Sequence, residues 1–156
     1  MTSNAHIRLL QGMPFFGAIN EECVQLVLSL SEIIAVREGT FFYHQEEQGD
    51  CLYVLEEGRV RILKEADQRS VELSVIEAGG CFGELALIAC TPRSASALAI
   101  ENCMAIRIPR SALNAVYEHD IEQFLLLQMN MAREVCRRLV EIDELWFRHQ
   151  LESEQR

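Results

Sequence analysis

The chain has 156 residues, 49% hydrophobic and 24% charged, which suits one domain with a sizeable core and excludes a disordered chain, a collagen-like fibre or a repeat array. Its 14 basic and 24 acidic residues give a formal net charge of −10. That balance argues against a surface that neutralises nucleic-acid phosphates or anionic lipid, so an anionic ligand would need a local positive site.

Six cysteines (Cys23, Cys51, Cys81, Cys90, Cys103, Cys136) and four histidines (His6, His44, His119, His149) are scattered along the chain. None forms a CxxC pair, and no set converges at the spacing a structural metal needs, so no metal is expected. Free, mostly buried thiols in a reducing cytoplasm are the expectation. No unbroken apolar stretch, that at residues 124–127 included, approaches the roughly 20 residues that span a bilayer, and no signal peptide is expected.

Three zones follow one another. Residues 1–35 carry helical spacing at Cys23, Leu26, Val27, Leu30 and Ile33-Ile34, with Asn20 as N-cap before two glutamates. Met13-Pro-Phe-Phe-Gly reads as a turn with two apolar anchors. Residues 36–109 break into short β-type runs at 40–44, 51–55, 59–63, 71–76, 94–99 and 103–108, separated by glycine-containing turns. This pattern predicts a small antiparallel sandwich or barrel. Residues 110–156 return to helix, with Ser111 capping a short one and a longer one following over about 121–151. On the long helix Leu125, Gln128, Ala132, Val135, Leu139, Ile142 and Trp146 form a heptad seam. A second apolar set, Met129, Met131, Cys136 and Val140, lies off it. One face is therefore expected on the β-domain and the other on a partner helix, giving a homodimer through 121–150.

The segment 79–97, GGCFGELALIACTPRSASA, carries the chemistry. Gly83 permits close backbone approach, and Glu84 opens the short helix ELALIA, whose first N–H groups are free. Pro92 fixes the backbone before Arg93, which offers a planar fork of donors suited to phosphate. The small residues Ser94-Ala95-Ser96 let further backbone donors reach the same anion. A phosphate would repel Glu84, so its natural partner is a ribose hydroxyl. The plainer alternative is an internal Glu84–Arg93 ion pair.

FGELALIACTPRSASA resembles the phosphate-binding cassette of the cyclic-nucleotide-binding domain family. The segments EGTFF (38–42), GDCLYVL (49–55) and EGRV (57–60) are similar to that family's β-roll strands and turns. The resemblance covers about residues 10–150 and implies an α+β, mainly β fold. Its centre would be an antiparallel jelly-roll, or β-roll, flanked by N-terminal helices and a long C-terminal helix, all within a single domain over 1–156. It further implies that Glu84 holds the ribose 2′-hydroxyl, that Arg93 pairs with the cyclic phosphate, and that Gly83, Leu85 and Ala86 add backbone contacts. Ser94 and Ala95 would complete the cradle, while Ile62, Leu73 and Ile76 would line the base pocket. The family's C-helix often supplies a polar contact to the purine, for which Arg138 is the preferred candidate over Arg137 and Glu141.

Ser94 after the arginine follows the catabolite-activator pattern, so cyclic AMP is expected in preference to cyclic GMP. The chain ends at Arg156, about where the DNA-binding relatives begin their helix-turn-helix domain, so the output is expected through an unidentified effector protein. The function expected is that of a non-enzymatic cyclic-nucleotide sensor. A β-roll dimerisation module with a vestigial pocket is the alternative. A metal enzyme is disfavoured because His44 is the only histidine in the strand region.

Overall fold

In the computed structural model, which describes residues 3–155, the chain begins with α1 (Asn4–Gln11), a 3-10 turn at Pro14–Phe16 and α2 (Glu21–Ser29). Ser3 and Asn20 cap the helices, their side-chain oxygens accepting from the His6 and Cys23 amides, which satisfies donors the helices leave free. Phe15 and Phe16 are fully buried, as expected of the two anchors. α2 stops sooner than its apolar spacing suggests. The Ser31 hydroxyl donates to the Val27 carbonyl, and Glu32–Val36 is then strand β1. Ile33 and Ile34 are therefore strand residues, paired in register with Ile106 and Ala105. Their β-branched side chains suit a pleated surface better than a further helical turn. The β-region thus begins at residue 32 instead of 36.

The other strands are β2 (Phe41–Tyr43), β3 (Cys51–Glu57), β4 (Arg59–Ala66), β5 (Arg69–Glu77), β6 (Cys81–Phe82), β7 (Ser96–Ala99) and β8 (Cys103–Pro109). β4 and β5 outrun their apolar cores as an exposed hairpin that closes at Ala66↔Arg69. Ser94 and Ala95 precede β7 instead of opening it. Two four-stranded antiparallel sheets, ordered β1-β8-β3-β6 and β2-β7-β4-β5, make the expected jelly-roll. β3 shows how its sequence serves two cores. Cys51, Tyr53 and Leu55 face the space between the sheets, while Leu52 and Val54 face the helices, so the strand is apolar on both faces.

α3 (Glu84–Ala89) lies between β6 and β7, and α4 (Arg110–His119) and α5 (Ile121–Glu154) close the chain. Ser111 does not cap α4. Pro109 takes the N-cap position, and the Arg110 amide donates to the Asp50 carbonyl at 2.9 Å, so that donor is already satisfied. Asp120 caps α5 by accepting from the Glu122 and Gln123 amides. α5 docks through Leu127, Asn130, Met131 and Glu134. Asn130 Nδ2 donates at 2.9 Å to the carbonyls of both Phe15 and Gly17, which fixes the helix against the 3-10 turn. Only Met131 of the second apolar set faces the domain; Met129, Cys136 and Val140 are exposed. At 3.6 residues per turn they point away from the docked positions. The heptad seam also lies off the docked face, with Leu125, Leu139, Ile142 and Trp146 exposed. The single-domain expectation reaches at its ends to residues 1, 2 and 156, which lie outside the described residues.

Candidate ligand-binding site

Gly83 joins β6 to α3 with φ +81°, a left-handed conformation that favours glycine. It sets Glu84 at the first position of α3, where the side chain is 0% exposed. Arg93, 4% exposed, is held from several directions. Its backbone N–H donates to the Glu47 carbonyl, and its own carbonyl accepts from the Glu46 amide, both at 2.8 Å. Nη1 donates to the Gly83 carbonyl at 2.6 Å and Nη2 to the Cys51 carbonyl at 2.8 Å. The guanidinium lies over the Tyr43 ring, 4.2 Å from its centroid, and Tyr43 stacks in turn on Tyr53 and Tyr53 on Phe82. Such preorganisation lowers the ordering cost of binding an anion. Nε is buried without a partner.

Glu84 does not pair with Arg93, which corrects the plainer sequence reading. Its Oε1 pairs with Arg138 Nη2, reaching in from α5, and its Oε2 is buried with no partner. Arg138 Nε also points at the Glu134 carbonyl, 3.4 Å away. Burial draws the Arg138 guanidinium below its usual value, although arginine stays charged in proteins. Burial pushes the Tyr43 phenol up to about 12, against the lowering influence of Arg93 and Arg138. The Cys81 thiol is raised to about 12 for the same first reason. Both groups are therefore neutral near pH 7.

These side chains surround a cavity of about 40 Å³ lined by Tyr43, Ile62, Gly83, Glu84, Leu85, Ala86, Arg93, Ser94, Ala95 and Arg138. Nine residues singled out from the sequence meet here. Leu73 and Ile76 do not reach the cavity. They pack in the same cluster as Ile62, where Ile76 pairs with Val60 across the β4–β5 ladder while Ile62 pairs with Ser74. Sequence reasoning missed Tyr43, whose position at the end of β2 gives no local sign that it carries a guanidinium. It also missed Gly49. A Cβ there would lie 2.6 Å from the Ala86 Cβ and 2.8 Å from Arg93 Cζ, so Gly49 is the space that the Arg93 head group occupies. Gly49→Ala is expected to displace Arg93 and weaken anion binding at least tenfold while the helices keep their content, which titration calorimetry beside circular dichroism would check. Among the described residues, no three His, Cys, Asp or Glu side chains gather as a metal site.

Residues 33–120 match the family model described as the cyclic nucleotide-binding domain. The chain belongs to that family. It is 30% identical to the cyclic AMP receptor protein of Thermus thermophilus over 86% of this chain and 61% of that one. It is 32% identical to the cAMP-dependent protein kinase regulatory subunit of Eremothecium gossypii over 61% of this chain and 20% of that one. Among solved structures, the catabolite activator protein of Thermus thermophilus superposes with a TM-score of 0.72 at 28% identity, covering 90% of this chain and 63% of that one. The chain thus spans less than two thirds of the length of these relatives. Family membership makes it a cyclic nucleotide-binding regulatory domain, and residues 79–97 lie within the matched span. No helix among the described residues is long and apolar enough to cross a membrane.

Proposed function

We propose that this chain is a cyclic-nucleotide sensor that prefers cyclic AMP to cyclic GMP and relays occupancy through α5. One observation carries the reading: two buried side chains of opposite charge, Glu84 and Arg93, line one cavity, and each keeps an unpartnered polar atom. A carboxylate accepts from a ribose hydroxyl, and a guanidinium donates to a cyclic phosphate. Gly83, Leu85, Ala86, Ser94 and Ala95 complete the cradle. Ile62, backed by Leu73 and Ile76, is assigned the base side.

The volume argues for a relay. Small-molecule pockets run from about 300 Å³, whereas this one offers about 40 Å³ with Arg138 in place. A nucleotide that takes Glu84 must displace Arg138, and Arg138 belongs to α5. Ligand and docked helix therefore compete for one carboxylate, which supplies the differential affinity that a conformational signal requires. The exposed seam of α5 suits a homodimer through 121–150, and an effector protein would read the helix. The reading includes no catalytic step, and the free thiols fit a cytoplasmic location.

Titration calorimetry with cyclic AMP, cyclic GMP and 2′-deoxy cyclic AMP tests it. Cyclic AMP is expected to bind at micromolar concentration or tighter, ahead of cyclic GMP. Removing the 2′-hydroxyl should weaken binding by roughly 10- to 150-fold, since a hydrogen bond to a charged group contributes about 1.5–3 kcal/mol. No heat and no thermal shift with any of the three would leave the β-roll as a dimerisation scaffold.

A further inference from the structure

From Leu139 to His149 every residue of α5 is exposed, so this half of the helix projects beyond its own domain. It is nevertheless rich in large apolar side chains: Trp146 is 65% exposed, Phe147 63% and Val140 56%. Exposed apolar area of this extent is rare on a monomer. The heptad seam accounts for only part of it. At 3.6 residues per turn, Met129, Cys136, Val140, Phe147 and Leu151 form a second stripe about 100° further round the helix. In the projecting half Asp143 separates Ile142 and Trp146 from Val140 and Phe147, so the two stripes present different faces. A two-stranded coil needs only its a/d seam, and it would leave Val140, Phe147 and Leu151 in water.

We propose that the second stripe binds the same stripe of another pair of chains, antiparallel, so that the protein is a dimer of dimers built on a four-helix bundle. This rests on the seam pairing proposed above. The arrangement of charge beside the stripe favours another copy in that direction. Arg133 and Arg137 flank its first half, and Asp143 and Glu144 its second. Antiparallel pairing centred on Val140 sets Met129 against Leu151, and it brings the basic half of one helix to the acidic half of the other. Parallel pairing would oppose like charges. Arg137 already holds Glu134 and Glu141 along its own helix, and its side chain stays 54% exposed. Seam and stripe together give each chain two isologous contacts, which close after four chains when their two-fold axes cross at right angles, and tetramers with D2 symmetry are the commonest closed assembly after C2 dimers.

Sedimentation equilibrium of the full chain tests the proposal. A mass near four times 17.8 kDa is expected, falling to near twice 17.8 kDa for Val140→Glu/Phe147→Glu, with helix content and cyclic AMP binding unchanged. Both substitutions lie on exposed positions, and the wild-type mass is informative by itself. A wild-type dimer would overturn the tetramer and keep the seam pairing, whereas a monomer would overturn both. A tetramer that survives the double substitution would overturn this use of the stripe. Cyclic AMP titration of the same samples reports on the ligand reading separately.

Discussion

Arg93→Ala is expected to weaken cyclic AMP binding by roughly 30-fold to several thousand-fold, because removing one partner of a buried charge pair costs about 2–5 kcal/mol. The upper half of that range is favoured by how little freedom Arg93 has. Its two terminal nitrogens are tied to the Gly83 and Cys51 carbonyls and its plane lies on Tyr43, so its free donor is fixed before ligand arrives. The same ties make Arg93 structural. Its loss removes a donor from each of two carbonyls and leaves a gap between Gly49 and Tyr43, so a lower melting temperature is also expected. Arg93→Lys separates the two contributions. It keeps the charge but loses the planar fork, and it should recover only part of the affinity. Calorimetry on both variants, with circular dichroism to show that they are folded, checks this. Affinity for cyclic AMP that is unchanged in folded Arg93→Ala would remove the phosphate from this site.

The parts of this molecule that could be read from its sequence are those set by neighbouring residues. The segment 83–93 is one, since Gly83, the six-residue helix and Pro92-Arg93 determine each other's conformation over a short stretch. The Asn20 cap and the Phe15-Phe16 anchor are others. Where one residue set satisfies two periods, local pattern fails: Ile33 and Ile34 continue the apolar spacing of α2, and only pairing with β8 makes them strand. Ser111 is a good capping residue at a helix start that Pro109 and the Asp50 carbonyl already complete. Contacts between distant segments were invisible, including Tyr43 beneath Arg93 and Gly49 beside it. Arg138 is singled out by its place on the helix as a purine contact, but the group it meets in the structure, Glu84, depends on how α5 lies. That angle is set by Asn130 and the 3-10 turn.

The second large effect is expected to run in the opposite direction. Arg138→Met should tighten cyclic AMP binding by about tenfold or more while lowering the melting temperature of the ligand-free protein. Arg138 is the only ion-pair partner of the fully buried Glu84 among the described residues. Breaking a buried pair by removing one partner costs about 3–5 kcal/mol, because the other charge stays buried. Methionine fills much of the same space without the charge, so the variant carries that cost in the empty state. A ribose hydroxyl donating to Glu84 relieves part of it in the bound state. The free energy lost from the empty form therefore reappears as affinity, and the ligand-induced rise in melting temperature should grow. Glu84→Gln supplies the control. With no carboxylate to compete for, Arg138→Met should change affinity little in that background, and the difference between the two backgrounds is the coupling between helix and ligand. If Arg138 instead serves the purine directly, Arg138→Met will weaken binding in both backgrounds, and competition for Glu84 is then not how α5 reports occupancy. By linkage, an effector or partner chain that draws Arg138 away from Glu84 must raise nucleotide affinity by the same factor by which nucleotide raises its own.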